Sequence, residues 1–180
     1  GNIMYYRGER GEASFRGTGD FEVLLTNHAV PISGDTVDTA RSVLRKMGVR
    51  AQFAPELSTQ MGKTYSTVVM VWEYEGLPVV NAQIQFTFTS EFLMMISGNR
   101  MLDIQREDDT FRPLDSATLL TRFVGIVNRN GYVFSELKEI CPVYLSPDSS
   151  GGKLTPLWRI ETDAGSFYLN MTTGEEQPVA

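Results

Sequence analysis

The chain has 180 residues, 42% of them hydrophobic and 21% charged, which is enough to bury a core in one domain or two small ones. Its net charge of −6 supplies neither the basic surface that nucleic acid requires nor a polybasic patch for anionic lipid. One cysteine and one histidine exclude an internal disulfide and any Cys/His metal cage, and no apolar run reaches the length of a membrane span. The chain opens on Gly1-Asn2, a start of the kind that tag removal leaves. It predicts a preceding N-terminal segment, either a signal peptide or a membrane anchor.

In chain order, residues 3–25 read as a small β-meander whose strands are separated by Arg7–Gly11 and Gly17-Thr18-Gly19. A connector, Thr26–Gly34, carries His28. The spacing of Val37, Ala40, Val43, Leu44 and Met47 predicts a helix over Asp35–Met47, with Asp35 as N-cap and Gly48 as the C′ residue. Val49–Leu57 reads as a short extended segment ending near Pro55, and Ser58–Lys63 as a loop.

The strongest signal lies between Thr64 and Ile96. Val80, Ala82, Ile84, Phe86 and Phe88 alternate with Asn81, Gln83, Gln85, Thr87 and Thr89, which gives a strand with one apolar and one polar face. The preceding strand offers Val68, Met70, Trp72 and Tyr74, and Glu75-Gly76 forms the turn between them. A third strand follows Ser90-Glu91, and Met101–Gln105 is expected to pair once more before the polar connection Arg106–Arg112.

A second helix is predicted from Asp115, with Leu119, Leu120, Phe123, Val124 and Val127 on its apolar face, ending at Asn130-Gly131. Val133–Leu145 then reads as a long strand broken at Pro142, and 157–170 as a hairpin over Asp163-Ala164-Gly165. Helix, glycine, strands and aromatic hairpin thus recur. The predicted class is α+β: two helix-plus-antiparallel-sheet units over 35–112 and 115–180, preceded by a β-meander and connector over 1–34.

Two fragments carry a family resemblance. Val71-Trp72-Glu73-Tyr74-Glu75-Gly76-Leu77-Pro78-Val79 is similar to the hairpin of PepSY and thermolysin-propeptide domains. Pro156–Asp163 with Phe167-Tyr168-Leu169-Asn170 and Thr173-Gly174-Glu175 is similar to the ending of PepSY units. Two such units behind a β-hairpin segment resemble the YycI/YycH type of regulatory protein. That resemblance implies an extracytoplasmic domain, held by a single N-terminal membrane anchor, that restrains a sensor histidine kinase.

Few residues suggest chemistry. His28 has no second histidine to converge with, and Cys141 reads as a buried thiol with no cation indicated beside it. Glu107-Asp108-Asp109 lacks the ligand spacing of a calcium loop. Glu73, Glu75 and Glu161 read as exposed strand-end carboxylates. The expectation is a non-enzymatic chain without cofactor or metal. The candidate interaction surface is the polar stripe Asn81, Gln83, Gln85 and Thr87, whose amides and hydroxyls suit contact with a protein backbone or a glycan, and an exposed edge strand would accept a partner strand by β-augmentation. Its expected partner is another protein, a membrane sensor kinase or a peptidase, and not nucleic acid. A propeptide-like inhibitor or chaperone of a secreted peptidase, and a small-ligand-binding domain, stand as alternatives.

Overall fold

The computed structural model describes residues 2–26, 28–49, 52–61, 65–99, 112–147 and 153–179. The expected strand at Met101–Gln105 and the acidic run Glu107-Asp108-Asp109 lie outside them. The chain divides into two compact units, Gly1–Asp103 and Ile104–Ala180, each with one helix and an antiparallel sheet.

In the first unit, β1 (Ile3–Gly8), β2 (Gly11–Arg16) and β3 (Asp20–Leu25) precede α1 (Thr36–Lys46), and β4 (Gln52–Met61), β5 (Tyr65–Tyr74), β6 (Leu77–Phe88) and β7 (Leu93–Asn99) follow it. The strands lie in the order β1-β2-β3-β7-β6-β5-β4, every neighbouring pair antiparallel. The N-terminal meander is therefore part of the same sheet as the central hairpin, joined to it through β3 and β7.

The alternation of β6 holds where the core needs it. Ala82, Ile84, Phe86 and Phe88 are buried, in company with Val68 and Met70 of β5, Ile96 of β7 and Phe21 of β3. Ala40, Val43 and Leu44 of α1 belong to that core. The helix is fixed at both ends: Asp35 accepts from the Asp38 N–H at 2.7 Å, and Gly48 leaves the helix at φ 73. Buried Thr39 ties the connector down, its hydroxyl accepting from the Ser33 N–H at 2.9 Å. The His28 ring lies against Phe92, tilted at 57° with centroids 4.9 Å apart.

Two readings of this unit change. The extended segment before Lys63 does not end near Pro55, because β4 continues to Met61 against β5. Pro55 stands opposite Met70, a register shift lies between Pro55 and Leu57, and the pairing resumes beyond it. At the β5–β6 turn both Glu75 (φ 52) and Gly76 (φ 79) are left-handed, the arrangement of a two-residue type I′ hairpin. The β5–β6 register then shifts between Val71 and Glu73. That shift breaks the alternation at the start of β6, where Val79 is buried and Val80 only half-buried.

The second unit contains α2 (Ser116–Asn130), β8 (Leu137–Leu145), β9 (Thr155–Thr162) and β10 (Gly165–Asn170), paired β8-β9-β10. Leu119, Phe123 and Ile126 of α2 pack on Ile160 and Leu169. Asp115 caps the helix by accepting from the Thr118 N–H and hydroxyl and from the Ala117 N–H, which holds its carboxyl below the ordinary range. Pro142 does not break β8; it lies in register opposite Trp158. The predicted strand instead begins later, because 133–136 follow a different path. There the Asp163 carboxylate accepts from the Ser135 hydroxyl at 2.5 Å and the Glu136 N–H at 3.1 Å.

Two outcomes follow from these contacts. A Cβ at Gly98 would stand 2.6 Å from the backbone oxygen of Gln83 and 3.0 Å from Ile84 Cα, both in the neighbouring strand. Gly98→Ala is expected to cost about 2 kcal/mol or more in urea unfolding. The Ser135 hydroxyl and then the Glu136 N–H hold Asp163 down to a pKa of about 2. The tie is fully present above the unfolded aspartate value of about 4 and is lost as pH falls toward about 2. The thermal unfolding midpoint should therefore fall as pH is lowered across that window, and Asp163→Asn should flatten the dependence.

Candidate functional site

The four residues of the predicted stripe do not share one environment. Gln83 is exposed, Asn81 and Gln85 are half-buried, and Thr87 is 8% exposed. The Thr87 hydroxyl is buried with no hydrogen-bond partner among the described residues. The Asn81 carbonyl accepts from the Asn99 side-chain amide at 3.1 Å. The β5–β6 register shift places Asn81 within the bulged stretch, out of step with Gln83, Gln85 and Thr87. Gln83 is thus the one exposed amide of the stripe, Gln85 is half-buried beside it, and Thr87 belongs to a covered part of the face.

The pairing register extends this face sideways. Gln85 stands opposite Ser97, Ser97 opposite Glu22, Glu22 opposite Ser14 and Ser14 opposite Tyr5. A parallel row runs Thr87, Met95, Leu24, Glu12, Arg7. Side chains of directly paired residues lie on the same side of a sheet, so both rows occupy the side away from α1. Four inter-strand steps carry each row across about 19 Å.

At the β1 end the face hollows into an open groove of about 400 Å³ lined by Tyr5, Arg7, Glu12, Ser14, Glu22 and Leu24. Arg7 donates to Glu12 at 3.0 Å, and both side chains are exposed. Such a pair contributes about 1 kcal/mol or less, so it orients the groove more than it holds the fold. Sequence reasoning placed the amides of β6 but missed the groove. The signal was present in the alternation of Glu12, Ser14 and Glu22 with Ala13, Phe15, Phe21 and Val23, yet only the long-range pairing of β3 with β7 joins it to Gln85.

In the second unit, Cys141 is half-buried and stands across from Arg159, which corrects the expectation that no cation lies beside it. Arg159 pairs with Glu161 at 3.2 Å. Burial alone would lower its guanidinium, and the Cys141 thiol followed by Glu161 and Tyr168 carries it upward. Among the described residues no group of three His, Cys, Asp or Glu is placed to hold a metal ion, and no helix is long and apolar enough to cross a membrane.

Thr87 supplies a test of which part of the face is packing. A buried unpaired hydroxyl is unfavourable, so Thr87→Val is expected to raise stability by about 1 kcal/mol. A loss of stability in urea unfolding would show instead that the hydroxyl is bonded.

No family model matches the sequence, and no curated protein does. The fold is similar to that of the Bacillus megaterium YpeB C-terminal domain, with a TM-score of 0.52 and 12% identity, covering 100% of this chain and 89% of that one. At that identity the likeness is one of fold: helices laid on antiparallel sheet, consistent with a PepSY-like domain.

Proposed function

We propose that the chain is a non-catalytic protein-interaction domain that regulates its partner, and that the docking surface is the helix-free face of the first unit, from Gln83 and Gln85 to the groove at Tyr5. The observation that carries this reading is the continuous row Gln85–Ser97–Glu22–Ser14–Tyr5 across five strands. The amide and hydroxyls of the row can each donate and accept, and the Glu22 carboxylate at its centre accepts only, so the row suits the backbone N–H and C=O groups of a partner provided a donor meets Glu22. The PepSY-like fold supports it, as does the resemblance of Val71–Val79, and of Pro156–Asp163 with Phe167–Asn170 and Thr173–Glu175, to PepSY units.

In this reading the two units are PepSY/YycI-like, and the chain lies outside the cytoplasmic membrane behind an N-terminal anchor. Its partner there is a membrane sensor histidine kinase. Inhibition or chaperoning of a secreted peptidase uses the same surface with a different partner.

A photo-crosslinking residue at Gln83, in cells making the full-length protein, should trap a membrane histidine kinase. The same residue at Arg45 on α1 should not. Capture of a peptidase would favour the second partner. Equal labelling at both positions, or no protein adduct at Gln83, would overturn the docking surface. Intact-cell protease shaving should cut the domain from outside while the product fractionates with membrane.

A further inference from the structure

Strand β1 ends the first unit's sheet, and among the described residues it pairs only with β2. All six of its residues are exposed. Four are large and apolar or aromatic: Ile3 at 44%, Met4 at 54%, Tyr5 at 76% and Tyr6 at 58%. Edge strands in monomers are usually blunted by proline, charged side chains, a bulge or an inward charge. β1 has no proline, lysine or bulge, and its one charged side chain, Arg7, is engaged with Glu12; it reads Ile-Met-Tyr-Tyr-Arg-Gly in unbroken register with β2.

The ladder fixes which backbone groups face outward. The Gly17 N–H donates to the Asn2 carbonyl at 3.2 Å, and these residues are opposite one another in the β1–β2 register. Bonded and non-bonded pairs alternate along an antiparallel ladder. Met4 and Tyr6 therefore bond inward to β2, and the N–H and C=O groups of Ile3, Tyr5 and Arg7 point out of the sheet.

We infer that β1 pairs with β1 of a second copy of this chain, antiparallel about a two-fold axis at Tyr5. Centring on Tyr5 bonds Tyr5 to its own copy and Ile3 to Arg7 of the copy, which uses every outward group. Centring on Arg7 would set two guanidiniums face to face, and centring on Ile3 would leave Tyr5 and Arg7 without partners in the other strand. On one side of the joined sheet Tyr5 meets Tyr5 and Ile3 meets the stem of Arg7. On the other side Met4 meets Tyr6. Each is a cross-strand contact of a stabilising kind, and no like charges oppose. A single sequence that matches itself on both faces and in backbone polarity is what an isologous interface requires. The two-fold would also join two copies of the Gln85–Tyr5 row end to end, although the pairing does not depend on that row's role.

Light scattering after size exclusion should show a dimer of the full chain, and Tyr5→Pro, which removes a central donor, should give a monomer with unchanged circular dichroism. In a Cys141→Ser background, Tyr5→Cys should self-crosslink on mild oxidation, since bonded antiparallel pairs hold their Cα atoms about 5.5 Å apart, within disulfide reach. Ile3→Cys and Arg7→Cys should not crosslink alone but should do so when mixed. This series decides the register even where Tyr5→Pro fails to fold. A monomeric wild type at all concentrations, a dimer that persists in folded Tyr5→Pro, or self-crosslinking of Ile3→Cys as fast as Tyr5→Cys would overturn the pairing. Loss of adducts at Gln83 would leave it standing, because that measurement reads a different surface.

Discussion

Phe86 and Phe88 of β6 are fully shielded from solvent, and they share one core with Ala40, Val43 and Leu44 of α1. Each buried phenylalanine contributes about 2–3 kcal/mol, several times what the exposed Arg7–Glu12 pair provides. This contact sets which side of β6 faces inward. With a side-chain period of two, a slip of one residue would turn Gln85 and Thr87 into the core and expose both rings. The register of β5 and β7 on either flank follows from it, and so does the polarity of the opposite face. Gly98 lets the backbones of β6 and β7 approach, and through β7 the constraint passes to β3, β2 and β1.

Much of this was legible along the chain, because caps, turns and periodicity are local. Asp35, Gly48, Asp115 and Gly131 mark both helices. Glu75-Gly76 marks the hairpin, and Ile84, Phe86 and Phe88 mark the buried face. The rest depended on contacts between distant residues. Nothing near Asp20–Leu25 announces that it pairs with residues more than seventy positions later, yet that pairing makes the meander part of the main sheet. Proline misled twice: beyond Pro55 the pairing resumes after a register shift, and at Pro142 the ladder accommodates it. Asp163 read as a turn residue, whereas it also anchors Ser135 and Glu136 from 27 or more positions away. Of the candidate stripe, Gln83 is exposed and Gln85 is half-buried. Asn81 is displaced by the register shift, and Thr87 is covered.

The fold is similar to that of the YpeB C-terminal domain, and at 12% identity that likeness does not choose a partner. The proposed choice rests on chemistry: a face that mixes amide, hydroxyl and charged side chains, an acidic chain overall, and an edge strand with outward backbone groups. These features address different occupants. The flat face suits a folded partner laid across several strands, and the edge suits an extended segment in register.

Docking of a partner protein on the helix-free face of the first unit is tested by affinity capture from detergent-solubilised membranes with the chain and with Gln83→Arg/Gln85→Arg, which leaves the α1 core untouched. One membrane protein should be retained by the wild type and lost from the folded double variant. Equal retention by both, or retention lost only when the α1 surface is changed, would rule that docking face out.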